Sequence, residues 1–310
     1  MEILNTIVPV ILMLGIGMAA RRSSLLSREG INALKSVVVN ITLPAVMLNA
    51  FATMTYSVNN IIITALMFAI CFAALLLGKM FAQGSRFVPF LTTGFEAGML
   101  GYSLFMLLYG SENISSFAYV DLGQVLFVFT LYKILLGQDG TKQVKTDVKK
   151  LFSEMLHSPT IIAIICGVIL GASGLYRALE PSGVSSLINA CTDFVSAPTG
   201  AVILITIGYD LVFANIPWKA VWKVVAARIV IMAVLRVAAG FVVHAIGMGD
   251  VLDPALNIMF ILPPPYVLPV FADDEDQRNF VSSSLSVTTL VTIIFFIILT
   301  VKTAGGMVTI

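Results

Sequence analysis

The side chains in this chain that could do chemistry are few, and most stand inside long apolar runs. Glu96 lies about eight residues into the run that starts near residue 88, roughly 12 Å deep at 1.5 Å per helical residue. A carboxyl at that depth could take up a proton or help hold a sodium ion, or it could be half of a structural ion pair. Arg228 and Arg236 stand about two turns apart in the run 218–246. A guanidinium fork matches a carboxylate through two parallel hydrogen bonds. The arginines therefore have two readings: contact with an anionic substrate, or an internal partner such as Glu96 or Asp121. Asp121 and Asp193 suit either proton or ion coupling or hydrogen-bonded packing.

The remaining polar groups have plainer readings. Lys133 and Asp210 fall near the ends of their runs, where snorkelling accounts for them. His244 is alone near the end of its run and reads as structural. The acidic stretch Asp273–Asp276 lacks the alternating spacing and glycine of a calcium loop and reads as a solvated turn. Ser282, Ser283 and Ser284 could cap the last helix or turn hydroxyls toward a site. Cys71, Cys166 and Cys191 fit neither a disulfide framework nor a zinc site. The chain carries no Walker motif, no His-Glu-x-x-His and no Gly-x-Ser-x-Gly. Neither an enzyme nor an ATP-driven pump is expected, and no cofactor beyond a possible Na+ or H+ as coupling ion. A net charge of +1 without a basic, aromatic-interleaved patch points away from nucleic acid.

Composition says what must position these groups. Of 310 residues, 58% are apolar and 11% charged, against roughly 25% charged in a soluble domain, and the mean hydropathy is +0.99. The runs do not alternate as barrel strands would, so the spans are helical and lie in a lipid bilayer. We expect ten, at 3–20, 31–52, 60–82, 88–109, 115–136, 159–174, 184–212, 218–246, 253–272 and 280–302. Glu2 precedes the first run and Arg21 and Arg22 follow it, which is the wrong order for a cleavable signal. Alternate loops carry twelve Lys and Arg residues against two, Arg177 and Lys302, on the other side. The positive-inside bias then places both termini outside and the 138–158 linker in the cytoplasm of a multi-pass plasma (inner) membrane protein.

That linker divides the chain into a first repeat, 1–137, and a second, 159–310. Five spans per half is odd, so the second half would be inserted upside down, the topology of inverted-repeat transporters. Pro44 in span 2 and Pro198 in span 7 fall near the middle of corresponding spans, where each would break or bend its helix. Spans 4 and 9 correspond further. At a fixed offset the segment around Gly98, Gly101, Tyr102 and Ser103 faces Pro263, Pro264, Pro265 and Tyr266. Glycines loosen one helix and successive prolines interrupt the other. Broken backbone at membrane depth is tolerated only beside protein or a wet cavity, and paired interruptions point to a binding site near the midplane. Half-helix N-termini there would favour an anion, and free carbonyls a cation.

At these residues the chain resembles the auxin efflux carrier family, including its bacterial malate and malonate permease-like members. The resemblance runs through Arg21–Ser27, Asn40–Ala45, Glu96–Tyr102, Pro264–Phe271 and Ser282–Ser286. It implies an all-α membrane fold of two inverted five-helix repeats with crossing broken helices in spans 4 and 9, similar to the sodium/bile acid symporter fold. It further implies a homodimer through the scaffold of spans 1, 2, 6 and 7, with spans 2 and 7 at the interface. Spans 3–5 and 8–10 would move as an elevator, and the substrates would be small carboxylates. Many members have asparagine in the glycine-rich segment and proline just after it; here Glu96 and Ala97 precede Gly98, and Ser103 follows Tyr102. The expected function is secondary active transport of small organic anions. The alternatives are a sodium-coupled carrier of larger steroid-like or amino-acid anions, or a non-coupled channel or membrane sensor.

Overall fold

A computed structural model of the protein describes residues 2–82, 84–138, 153, 156–211 and 216–307, and all regular structure among these is helical. Among the described residues, seven helices are long and apolar enough to cross a bilayer: Ile3–Arg22, Arg28–Ala52, Val58–Met80, Ser111–Gly137, Val184–Asp210, Trp218–Ala245 and Glu275–Gly305. The chain is a multi-pass, all-α membrane protein. Most of the expected 138–158 linker, with its four lysines, lies outside the described residues.

We label the helices α1 (Glu2–Arg22), α2 (Arg28–Ala52), α3 (Val58–Met80), α4 (Val88–Leu91), α5 (Ala97–Tyr109), α6 (Ser111–Gly137), α7 (Pro159–Ala172) and α8 (Leu175–Ser182). After these come α9 (Val184–Ser196), α10 (Thr199–Asp210), α11 (Trp218–Ala245), α12 (Gly249–Ile261) and α13 (Glu275–Met307). Three of the ten expected spans are not continuous helices of spanning length. The 159–174 stretch ends at Ala172, turns through Gly174 at φ +73°, and continues as α8 at 66° to α7. The 88–109 and 253–272 stretches are each interrupted.

The chain forms two compact units that do not follow its sequential halves; each takes segments of both. Unit 1 comprises residues 1–60, 98–119 and 153–210. Within it α1 and α10 approach closely because each presents a glycine. A Cβ on Gly17 would lie 2.1 Å from the Ile205 carbonyl oxygen, and one on Gly208 would lie 2.2 Å from that of Leu14. Small residues are what lets membrane helices pack backbone to backbone. Ser27 caps α2, accepting from Gly30 N–H at 3.0 Å. Pro44 does not break this helix. A single π turn, Val38–Thr42, precedes it and absorbs the donor that proline lacks. Pro198 falls in a two-residue interruption between α9 and α10, which together make one span. Asp210 is held in a specific ion triad rather than merely snorkelling: it pairs with Arg28 at 2.5 Å and with Lys35.

Unit 2 comprises residues 61–97, 120–152 and 211–310. Gly123 of α6 lies against α3, where its Cβ would meet the Thr64 carbonyl at 2.2 Å. A run of edge-on aromatic contacts, Phe68–Phe127–Tyr132–Phe90, links α3, α6 and α4. The Tyr132 hydroxyl donates to the Phe90 carbonyl at 3.1 Å. Of these rings Phe90, Phe127 and Tyr132 are buried, and they fix the end of α4, where the first interruption begins.

Candidate functional site

The site of interest in unit 2 is where two interrupted segments meet. The first interruption follows α4. Thr92 turns its hydroxyl back to the carbonyls of Val88 (3.1 Å) and Pro89 (3.0 Å), ending the helix. Gly94 then takes φ +69°, a conformation costly for other residues. Helix resumes at Ala97 as a π turn, Ala97–Gly101. The break thus spans 92–96, upstream of the Gly98–Gly101 segment where the sequence placed it. Glycine was needed for one left-handed residue, and Gly98 and Gly101 remain helical. The second interruption follows α12. Leu262 is extended (ψ 152°), and Pro263, Pro264 and Pro265 have no N–H with which to continue a ladder. A short 3-10 turn, Leu268–Phe271, comes next.

The two breaks bind each other. Glu96 N–H donates to the Pro263 carbonyl at 2.8 Å, and Tyr266 N–H donates to the Glu96 carboxylate at 2.6 Å. A Cβ on Gly94 would come within 3.2 Å of the Pro265 ring, tighter than an ordinary contact, so the close approach also favours glycine. Phe95 packs edge-on to Phe260 at 5.3 Å.

Arg228 closes the arrangement. It is 3% exposed and donates to three main-chain carbonyls: Leu91 at 3.2 Å, Gly94 at 2.7 Å and Leu262 at 2.8 Å. These are orphan acceptors left where helix ladders stop. Thr292 of α13 supplies another donor, to the Ile261 carbonyl at 2.5 Å. From α6, buried Gln124 donates to the Phe95 carbonyl at 3.1 Å and to Asp121, 1% exposed, at 3.2 Å. The Tyr266 hydroxyl meets that of Thr289 at 3.0 Å. Two buried oxygens in this neighbourhood, Oε1 of Gln124 and Oγ1 of Thr93, have no hydrogen-bond partner among the described residues. Tyr132 lies within electrostatic range of both Arg228 and Glu96, and Cys71 within range of Arg228 and Asp121. The chemistry available is therefore a buried guanidinium, two carboxylates and unsatisfied oxygens around broken backbone. The Tyr266 N–H that could receive an anionic ligand is already occupied by the chain's own Glu96.

Of the residues singled out from sequence, this site brings together Glu96, Asp121, Arg228 and Pro263–Tyr266. Arg236 belongs to a different network near the far end of α11: it donates to Asn257 (3.1 and 2.8 Å) and Asp253 (2.8 Å), and Asp253 also meets His244 at 2.8 Å. Its internal partners are thus neither Glu96 nor Asp121. Gly98, Gly101, Tyr102 and Ser103 fall in or at the edge of unit 1. There Tyr102 is buried against Phe117 at 4.8 Å, Ser103 turns back to the Met99 carbonyl at 3.3 Å, and Gly98 lies beside Leu43, next to Pro44. A Cβ on Gly200, two residues after Pro198, would sit 3.7 Å from that of Ser103. Asp193 is exposed and accepts from Asn49 at 3.3 Å. Sequence reasoning missed Thr93, Gln124, Tyr132, Thr289 and Thr292. Their signal was a polar side chain at an apolar position, with Gln124 three residues, one helical turn, after Asp121.

No protein-family model matches the chain, and no curated protein is detectably similar to it.

Proposed function

We propose that this protein is a secondary active transporter of small organic anions, mono- or dicarboxylates such as malate, and a member of the auxin efflux carrier family. In this reading it has ten spans in two inverted five-span repeats. The interrupted segments 88–109 and 253–272 count as spans 4 and 9. It lies in the plasma (inner) membrane with both termini outside and works as a homodimer through spans 2 and 7. One observation supports the reading: two interrupted segments, one from each half of the chain, are joined by hydrogen bonds within one unit, around a buried guanidinium and carboxylates. Paired broken helices are how transporters bring main-chain dipoles to a substrate at membrane depth. The grouping of α3, α11, α12 and α13 in one unit, apart from α1, α2, α7, α9 and α10, also suits a mobile transport part and a scaffold.

Glu96 has a defined task in this scheme. Its carboxylate holds the Tyr266 N–H, the place a substrate carboxylate would take. Protonation of Glu96 weakens that bond and frees the donor for the incoming anion, which ties anion uptake to a proton. The test is uptake of labelled malate into proteoliposomes under a proton or a sodium gradient imposed separately, with Glu96→Gln alongside. Gradient-driven accumulation that is lost in the variant supports the scheme. Accumulation that survives it leaves the carrier and removes Glu96 from coupling. No uptake under either gradient removes malate as substrate.

A further inference from the structure

At one end of unit 2, where α3 ends and α11 and α13 begin, an open groove of about 880 Å³ runs between Phe81, Val88, Trp218, Val224, Val230 and Phe280. Its lining is mostly apolar, and its charged members are Lys219 and Lys223. These two lysines head a stripe along α11. The positions 219, 223, 226, 230, 234, 237 and 241 recur every three or four residues and so share one helix face. Past the lysines the stripe turns small at Ala226 and then apolar. Val230, Val234, Val237 and Phe241 are 59%, 60%, 58% and 74% exposed. From Lys223 to Phe241 the stripe covers about 27 Å at 1.5 Å per residue, close to the hydrocarbon thickness of a bilayer. Trp218 and Trp222 stack beside the lysines at 6.3 Å, and paired tryptophans mark the level of the membrane interface.

A groove with cations at the interface and an open apolar track running into the bilayer fits one ligand chemistry. We propose that it is a selective site for an anionic phospholipid. The phosphate sits between Lys219 and Lys223, and an acyl chain lies along Ala226 and Val230 toward Phe241. A water-soluble anion has no use for the apolar track. A zwitterionic lipid fits the track but lacks the net charge that the two lysines complement. Basic pockets at the ends of membrane helices select anionic headgroups by this charge match.

Of the chain's two tryptophans, Trp218 lines the groove and Trp222 stacks on it, so intrinsic fluorescence reports on this place. The purified full-length protein is reconstituted in phosphatidylcholine, and brominated phosphatidylglycerol or brominated phosphatidylcholine is titrated in as quencher. Phosphatidylglycerol should reach half-maximal quenching at a several-fold lower mole fraction, on the order of fivefold for each lysine that engages the phosphate. Lys219→Gln with Lys223→Gln should bring the two curves together, whereas Lys79→Gln, at the same end of the unit but outside the groove, should leave them apart. Superimposed curves for the unaltered protein would overturn the proposal in favour of bulk lipid. Absence of quenching by either lipid would overturn it in favour of a protein segment or second copy covering the groove. The comparison on the unaltered protein stands even if the double variant misfolds. It reads no transport, so it is independent of the transporter reading.

Discussion

Replacing Arg228 by methionine should destabilise the protein far more than a typical point substitution. Methionine fills similar space, but three carbonyls, those of Leu91, Gly94 and Leu262, lose their donor where water does not reach. A hydrogen bond from a charged group contributes about 1.5–3 kcal/mol, so three amount to about 5–9 kcal/mol gross. The variant also escapes the cost of keeping a guanidinium out of water, which is several kcal/mol. The net loss expected is about 2–4 kcal/mol, or about 5–15 °C in midpoint at 2–4 °C per kcal/mol. Thiol labelling during heating suits the measurement. Cys71 is fully buried in the same unit, whereas Cys166 and Cys191 are exposed, so in a Cys166→Ser, Cys191→Ser background labelling reports opening of this core. Arg228→Lys keeps the charge but not the fork and should recover only part of the loss. A midpoint within about 1 °C of the parent for Arg228→Met would refute the idea that this side chain holds the two breaks together.

Other substitutions probe the same crossing and the packing around it. Glu96→Ala strips the acceptor from Tyr266 N–H and should cost about 1–3 kcal/mol, while Glu96→Gln keeps an oxygen there and should stay close to the parent in the same heating assay. Gly94→Ala must hold an L side chain at φ +69° against the Pro265 ring; about 1–2 kcal/mol from the backbone alone, plus the contact, should show as a lower midpoint. Gly208→Val puts a side chain where even a Cβ would be 2.2 Å from the Leu14 carbonyl; loss of the monodisperse peak on size-exclusion chromatography is expected. Asp210→Asn should be nearly silent, below about 1 kcal/mol, because the ion pairs it weakens are partly exposed.

How much of this was legible beforehand depends on whether the determinant was a residue type or a geometry. Apolar runs of spanning length are a matter of composition, and helix edges came out within a few residues for spans such as Val58–Met80 and Trp218–Ala245. The interruption after Ile261 was legible because three prolines in a row cannot donate. The one after Leu91 was misplaced by about five residues. A single glycine at positive φ, flagged by nothing but its own identity, marks the break, and the more conspicuous Gly98 and Gly101 stay helical. Pro44 misled in the opposite sense, because a π turn can absorb a missing donor without ending the helix. Chain order alone does not carry the division into units, since each unit is assembled from both halves; a grouping of that kind entered only through the family resemblance.

Arg228 shows the limit most clearly. A charge inside a span announces that something must compensate it, and residue type alone points to an anionic substrate or to carboxylates such as Glu96 and Asp121. The bonds it makes are to main-chain carbonyls. Every residue carries a carbonyl, and only a ladder that stops turns one into an acceptor in need of a donor. The partner of a buried arginine can therefore be read from sequence only after the helix breaks have been placed correctly. A shift of five residues in one break was enough to hide it.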